Sequence, residues 1–505
     1  MMKNRKYEKY VYAMVGVICI IIVGRCVFHW KERNDVKQQT ISEWMDKVDE
    51  ENKIAAKEKE GAEKKEERKQ EEQGEEAQNE KQQTEGKQET VQEDVKIRVL
   101  ITNAANGSYY HENVVIASSE KIQEKSSQQI FPENQQIDVG LYVTEETPMM
   151  FTNTQGIQVL SLEKNDRNPI YEGALDVYKT EKGYVIVNEI DLEQYLKYVV
   201  PSEMPSSYPM EALKAQAVCA RTYALKQIKE SRIDDFSAHV DDTVSYQVYH
   251  QIDRQASTDQ AVEETKGQIL CYQKEPIQAY FFSTSCGYTS TEQVWSGEEN
   301  TENYLHMISV SKKTTEAIAN GIKIEQKNLS NEEYFKAYIR TIEDADYEKA
   351  EGWYRWNVTF PLAVLNERIE ENGWQIGSLE DMEVMKRTNG GAVYSMCLVG
   401  TEGKKELINE YVIREFFSPV NQIINRNDGK QIEGGTLLPS AYIDWEFIQE
   451  NDNSYVKIYG GGYGHGVGMS QNGAKEMAKD GLLWEDIVTI FFENIEICSI
   501  SDIAY

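Results

Sequence analysis

Cysteine is scarce in this sequence: Cys19, Cys26, Cys219, Cys271, Cys286, Cys397 and Cys498 are the seven among 505 residues. No two of them form a C-x-x-C pair, and the first two lie in or beside an apolar N-terminal run. That rules against a disulfide framework and against a cysteine-based zinc site. Histidine is as rare, with His29, His111, His239, His250, His306 and His465. None falls in H-E-x-x-H, and no two are spaced as helical metal ligands. There is no G-x-S-x-G, so no nucleophile elbow of the α/β-hydrolase kind, and neither a Walker loop nor a G-x-G-x-x-G register. Positive charge is also short: the net charge is −31. Nucleic-acid affinity rests on neutralising phosphates with Lys and Arg, so an acidic chain argues against a broad phosphate-binding face.

What is present is unevenly distributed. Residues 1–30 carry Lys3, Arg5, Lys6, Lys9 and Arg25 against Glu8, around the apolar stretch YVYAMVGVICIIIVG. With Arg25 snorkelling at its outer end, the stretch reaches the roughly 20 residues that span a bilayer, and the preceding basic residues place the N-terminus in the cytoplasm. The reading adopted is an uncleaved transmembrane anchor; a cleaved signal peptide competes, without an A-x-A pattern to support it. Residues 31–95 hold 13 basic and 21 acidic residues and too few apolar ones for a packed core, which reads as a charged, low-complexity tether. The body, 96–505, keeps the rest of the negative charge. It is expected on the extracytoplasmic side of the cell membrane.

The body reads as α+β, a mixed, β-rich unit with a helical core around one turn. Alternating strands are expected at KIRVLITN, NVVIAS, GIQVLSL, GALDVYKT and KGYVIVNEI. Asp191 and Gln194 form a capping-box pattern ahead of a short helix that Pro201 is expected to end. A second helix is expected from Pro209, with Ala215, Ala217, Ala220 and Ala224 leaving room for close packing. Between them, Pro201-Ser202-Glu203-Met204-Pro205 holds a carboxylate in a restricted backbone. Beside Met204 and Tyr208 its pKa is expected to rise, as an acid requires; the plain alternative is a capping glutamate. Further on, the strand PIQAYFFSTSCGYTS ends in hydroxyls, Ser283, Thr284, Ser285 and Thr289. Residues 305–440 read as an accessory mixed α/β segment with an Asn-Gly-Gly turn at 389–391. Six glycines between 460 and 468 surround His465, and Ser470 is placed to cap the next helix.

Three pieces taken together carry a resemblance. They are VNEIDLEQYL with PSEMP and ALKAQAVCARTYA, from 187 to 224; FFSTSCGYT, 281–289; and GHGVGMSQNGA, 464–474. In this order they resemble the stage II sporulation protein D family, the SpoIID/LytB domain, over roughly 96–500. The resemblance implies a peptidoglycan lytic transglycosylase of sporulation, engulfment or cell-wall remodelling. Such an enzyme cuts the β-1,4 bond after N-acetylmuramic acid on denuded glycan strands and leaves a 1,6-anhydro end. Its catalytic glutamate falls on Glu203. One carboxyl suffices, because the sugar's own C6 hydroxyl replaces the water that a second base would activate. Arg221, Tyr223, Ser283, Ser285, His465, Ser470 and Gln471 are the expected substrate-binding residues, with Arg221 either meeting a lactyl carboxylate or buttressing the fold. The implied partners are the glycan strands, a peptidoglycan amidase/endopeptidase and a membrane scaffold. Some relatives hold zinc through His and Cys just ahead of a Gln-x-Tyr segment; here Ser245 and Tyr246 stand in that stretch, so no metal and no cofactor is expected. Two other readings stand beside this one: a non-catalytic, peptidoglycan-binding activator of an amidase, and a Cys286–His465 nucleophile pair.

Overall fold

The computed structural model describes residues 95–503 apart from 104–106, 146, 231–232, 234–235, 250–251, 299–302 and 323–325. The expected anchor, and the tether up to its last residue, lie outside the described residues. Among the described residues no helix is long and apolar enough to cross a membrane.

The body is α+β and rich in strands. A seven-stranded sheet runs in the order Val240–Asp241, Lys96–Ile101, Gly183–Asp191, Ala174–Thr180, Met149–Thr152, Ile122–Glu124, Ile130–Phe131. All its pairings are antiparallel but the one between the first two. Alternation explains the register: Ile97 and Ile101 point into one buried face with Ile190 and Ile186 opposite.

Strand Gly183–Asp191 runs directly into helix α1, Leu192–Glu203. Asp191 caps it, its carboxylate accepting from the amides of Glu193 and Gln194 at 3.0 and 3.1 Å. The helix does not stop at Pro201, as the sequence suggests; it carries on through Glu203. Proline this near a C-terminus removes a single amide, and the Met204 amide still closes on the Val200 carbonyl at 2.9 Å. Glu203 is therefore the last residue of a helix rather than part of a free turn.

Helix α2, Met210–Glu230, spans about 31 Å and is buried on two faces. Ala217, Ala220, Ala224 and Leu225 pack into the core under the seven-stranded sheet. Ala212, Leu213, Ala215, Val218 and Cys219 pack into a second core with helices Gln471–Lys479 and Trp484–Phe491. Small side chains at these positions let both cores approach the same rod. A third core lies between a five-stranded antiparallel sheet and the hairpin-linked sheet Leu379–Arg387, Val393–Gly400, Lys404–Ile408. The Asn389 turn joins the first two strands of that hairpin, as expected. The five-stranded sheet draws on the expected accessory segment, with Trp356–Pro361, Ile423–Arg426 and Gln431–Glu433. It continues through Ile443–Glu450 and Asn453–Gly460.

Two pairings bring the C-terminal part back to the centre. Phe281–Phe282 runs parallel to Met469–Ser470, the only regular part of the expected strand at 276–290 among the described residues apart from Pro276 itself. Gln268–Tyr272 pairs with Glu496–Ser499.

Candidate functional site

Glu203 is partly open to solvent, yet its carboxyl pKa is pushed up from 4.5 to about 7. Burial is the cause; the one opposing influence is the Val248 amide, which donates to Oε1 at 2.7 Å. No charged neighbour contributes to the shift. An acid in a desolvated recess that keeps its proton near neutrality is competent to donate it.

The Val248 amide is aimed by packing. Tyr195 of α1 stacks against Tyr249, ring centroids 4.9 Å apart, and donates its hydroxyl to Gln247 at 3.2 Å. Tyr249 donates to Asn188 at 2.7 Å, and Gln247 donates to the Ala220 carbonyl. The segment Gln247-Val248-Tyr249 is thus locked between α1, α2 and the sheet, with the intervening amide facing the carboxyl. It lies 45 residues away in the chain, and nothing in the local sequence singles it out.

Gln471 closes the other side. Its side-chain amide donates to the Glu203 carbonyl at 3.1 Å and reaches Gln216 of α2 at 3.4 Å. Tyr223 of α2 also lies by the acid: its phenol pKa is raised, first by burial and then by Tyr246, Asp241 and Glu203. From Tyr223 an aromatic row continues through Tyr280 at 6.2 Å to His465 at 6.3 Å, with Trp295 5.2 Å from both Tyr280 and His465.

His465 is fixed rather than free. Its Nε2 donates to the Phe281 carbonyl at 3.1 Å, and Nδ1 accepts from the Val467 amide at 3.0 Å. Burial lowers its pKa to about 4, so the ring is neutral. It can offer a ligand its face and edge but no spare nitrogen. The glycines around it are required by contact: at Gly466 a Cβ would strike the Tyr442 hydroxyl, at Gly468 the Tyr280 carbonyl, and both sit at φ near +80° (81° and 77°).

Three of the expected binding residues are otherwise engaged. All five N–H donors of Arg221 are used: two on Glu193, at 2.8 Å each, and one each on Thr265 and the carbonyls of Gln268 and Val262. Arg221 is 0% exposed and buttresses the fold. Ser285 and Ser470 both donate to Glu348, whose carboxylate also accepts the Ser285 amide at 2.9 Å. All three are buried, and burial pushes Glu348 up to about 8. Their hydrogen bonds clamp the end of strand Phe281–Phe282 to the glycine loop. No local sequence pattern marks Glu348, because its partners lie 63 and 122 residues away. Ser283 remains partly exposed, its hydroxyl 3.1 Å from Thr284. Cys286 is buried, donates to the Tyr288 carbonyl and has its thiol pushed up to about 12, so it is no nucleophile and is not paired with His465.

In the stretch from Asp241, Asp241 accepts from Tyr109 and from the amide and hydroxyl of Thr243, and Asp242 from Thr102. Among the described residues no three His, Cys, Asp or Glu side chains are grouped to hold a metal ion.

A second row of contacts starts at Tyr208, on the segment that follows Glu203. Tyr208 donates to Asn472 at 2.6 Å, and Asn472 donates to Thr284 at 2.9 Å. Thr284 exchanges main-chain hydrogen bonds with Tyr463. Lys475 stands 5.0 Å above the Tyr208 ring and pairs with Glu351.

The SpoIID family, described as stage II sporulation protein, matches residues 180–272, which contain α1, α2 and the Val248 segment. Residues 289–468 match a domain of unknown function (DUF8618). The stage II sporulation protein D of Bacillus subtilis (strain 168) is 29% identical, over 64% of this chain and 78% of its own length. That of Bacillus amyloliquefaciens is 29% identical over the same shares. The amidase enhancer of Bacillus subtilis (strain 168) is 29% identical over 60% of this chain, which spans 40% of that protein.

Proposed function

From a chain that belongs to the SpoIID family, we propose a cell-wall enzyme, a peptidoglycan lytic transglycosylase with Glu203 as its only acid/base. The observation that carries this is the Glu203 carboxyl raised to about 7 by burial, with no charged group among the causes of the shift and a backbone amide as its hydrogen-bonded partner. In a hydrolytic glycosidase a second carboxyl serves as base or nucleophile. A transglycosylase needs one group twice. Protonated Glu203 gives its proton to the leaving glycosidic oxygen. The resulting carboxylate then takes the proton of the C6 hydroxyl as that oxygen closes on C1, leaving a 1,6-anhydro ring. The Val248 amide steadies the carboxylate between the two transfers. Tyr223, Gln471 and Ser283 are the expected substrate-binding residues whose surroundings suit contact with the saccharide, and His465 would present its ring.

We place the body outside the cytoplasmic membrane, on a single anchor at 1–30 and a tether at 31–95, acting in sporulation or wall remodelling. Denuded glycan strands digested with the protein and analysed by mass spectrometry should yield anhydro-muramyl ends. Glu203→Gln should lower their formation at least a hundredfold, consistent with the worth of a general acid. Undiminished cleavage by that variant would end the proposal.

A second reading draws on the relative named amidase enhancer. In it the body binds glycan without cutting it and stimulates a cell-wall amidase. Strands bound but intact, with an added amidase accelerated equally by wild type and Glu203→Gln, would favour it.

A further inference from the structure

Residues 289–468, which lie outside the SpoIID match, place an aromatic group at the far end of the second row of contacts. Tyr463 is 39% exposed, more than its neighbours Gly462 and Gly464 on either side. Burial nevertheless raises its phenol pKa. The ring is braced. Trp353 stands against it, centroids 4.7 Å apart and planes tilted by 49°. The Arg426 guanidinium lies 4.9 Å from the Trp353 ring, itself held to Asp428 at 3.0 Å. Main-chain bonds pin both aromatics: the Gly462 amide donates to the Trp353 carbonyl at 2.8 Å, and Tyr463 bridges Thr284. A solvent-facing aromatic ring held by one packed aromatic neighbour and by main-chain bonds on its segment is preorganised for a flat apolar partner. The C–H faces of a pyranose are such a partner. Ser283, next to Thr284, is partly exposed, and its carbonyl accepts the amide of Asn472, the neighbour of Gln471.

We propose that Tyr463, braced by Trp353 and Arg426, is a stacking subsite for a sugar ring of the glycan strand, removed from Glu203 along the seam Tyr208–Asn472–Thr284. The accessory segment thereby contributes to glycan recognition, and the protein favours strands long enough to reach both places. This rests on the glycan-cleaving reading for its ligand but not on the chemistry at Glu203.

The test is therefore a binding measurement in the full-length Glu203→Gln protein, with denuded muramyl glycan strands fractionated by length. Tyr463→Ala should weaken binding of long strands about tenfold, about 1.4 kcal/mol, and leave the affinity for a single disaccharide unchanged. Trp353→Ala should act in the same direction and Trp353→Phe should restore most of the loss. Far-ultraviolet circular dichroism identifies any variant that fails to fold, and the exposed Tyr463→Ala serves as the decisive one. Long-strand affinity unaltered in a folded Tyr463→Ala protein overturns the subsite. If Glu203→Gln proves still able to cleave, the catalytic proposal fails while this binding comparison stands, because it can be read on intact strands at low temperature.

Discussion

Replacing Glu203 with glutamine should make the protein more stable at alkaline pH and leave it nearly unchanged in acid. The sign follows from proton counting. An unfolded glutamate titrates near 4.5, and the folded one near 7. Between these values the folded state holds a proton that the unfolded state has released. Wild-type stability is therefore fully present below pH 4.5 and is lost as pH rises through 7. A carboxyl moved that far costs about 3 kcal/mol at pH 8, from about 1.4 kcal/mol for each tenfold change in proton affinity, and about 2 kcal/mol after allowing for its partial exposure to water. Glutamine carries no charge to desolvate and can still accept from the Val248 amide. Glu348 and Asp346 are also shifted upward, to about 8 and about 6, but they titrate alike in both proteins and cancel in the difference. The assay is urea denaturation of wild type and Glu203→Gln at pH 5 to 8, followed by tryptophan fluorescence. The variant should gain about 2 kcal/mol on wild type across that range. A difference that stays flat, or falls with pH, would mean that the carboxyl is well hydrated, and the acid assigned to it would lose its physical basis.

Other outcomes follow from the same structure. Cleavage of denuded strands should fall about tenfold for each pH unit above 7, as the proton Glu203 must donate is lost; a rate profile flat from pH 6 to 9 speaks against it. Glu348→Ala removes the acceptor of the Ser285 amide and of the Ser285 and Ser470 hydroxyls. It should cost about 3–5 kcal/mol in chemical denaturation, and a loss under 1 kcal/mol would refute the clamp. Arg221→Met leaves Glu193 without its buried ion partner and should destabilise by about 3–5 kcal/mol; the folded fraction should bind glycan with unchanged affinity. Cys286→Ala should retain full cleavage activity, measured as anhydro ends, since the thiol is buried and un-ionised.

Local order carried the sequence reading further than long-range pairing could. Strand alternation at 96–101 and 183–191, the Asp191 cap and the alanine face of α2 are each encoded within a few neighbouring residues, and each is found in the fold. Glu203 was visible because two prolines and a methionine mark its surroundings. What surrounds its carboxyl was not. The Val248 amide, the Gln471 side chain and the row ending at Tyr463 reach the site from distant parts of the chain, and no local pattern signals such a meeting. The opposite error has the same origin. Arg221, Ser285 and Ser470 have the polar chemistry of ligand-binding groups, and only the positions of Glu193 and Glu348 reveal that their hydrogen bonds are already spoken for. At Pro201 the local rule itself failed, because one missing amide in a last turn is a small loss when Tyr195, Leu196 and Val199 anchor the rest of the helix in the core.

Gln471 donates to a carbonyl 268 residues earlier, and strand Phe281–Phe282 finds its partner only at Met469–Ser470. Contacts of such separation are slow to close and depend on most of the polypeptide being available. A chain still emerging from the ribosome has Glu203 early but lacks the wall of its recess until the last tenth of the sequence has been made. Under the function proposed above, a cell that makes this protein meets its acid only when synthesis is all but finished.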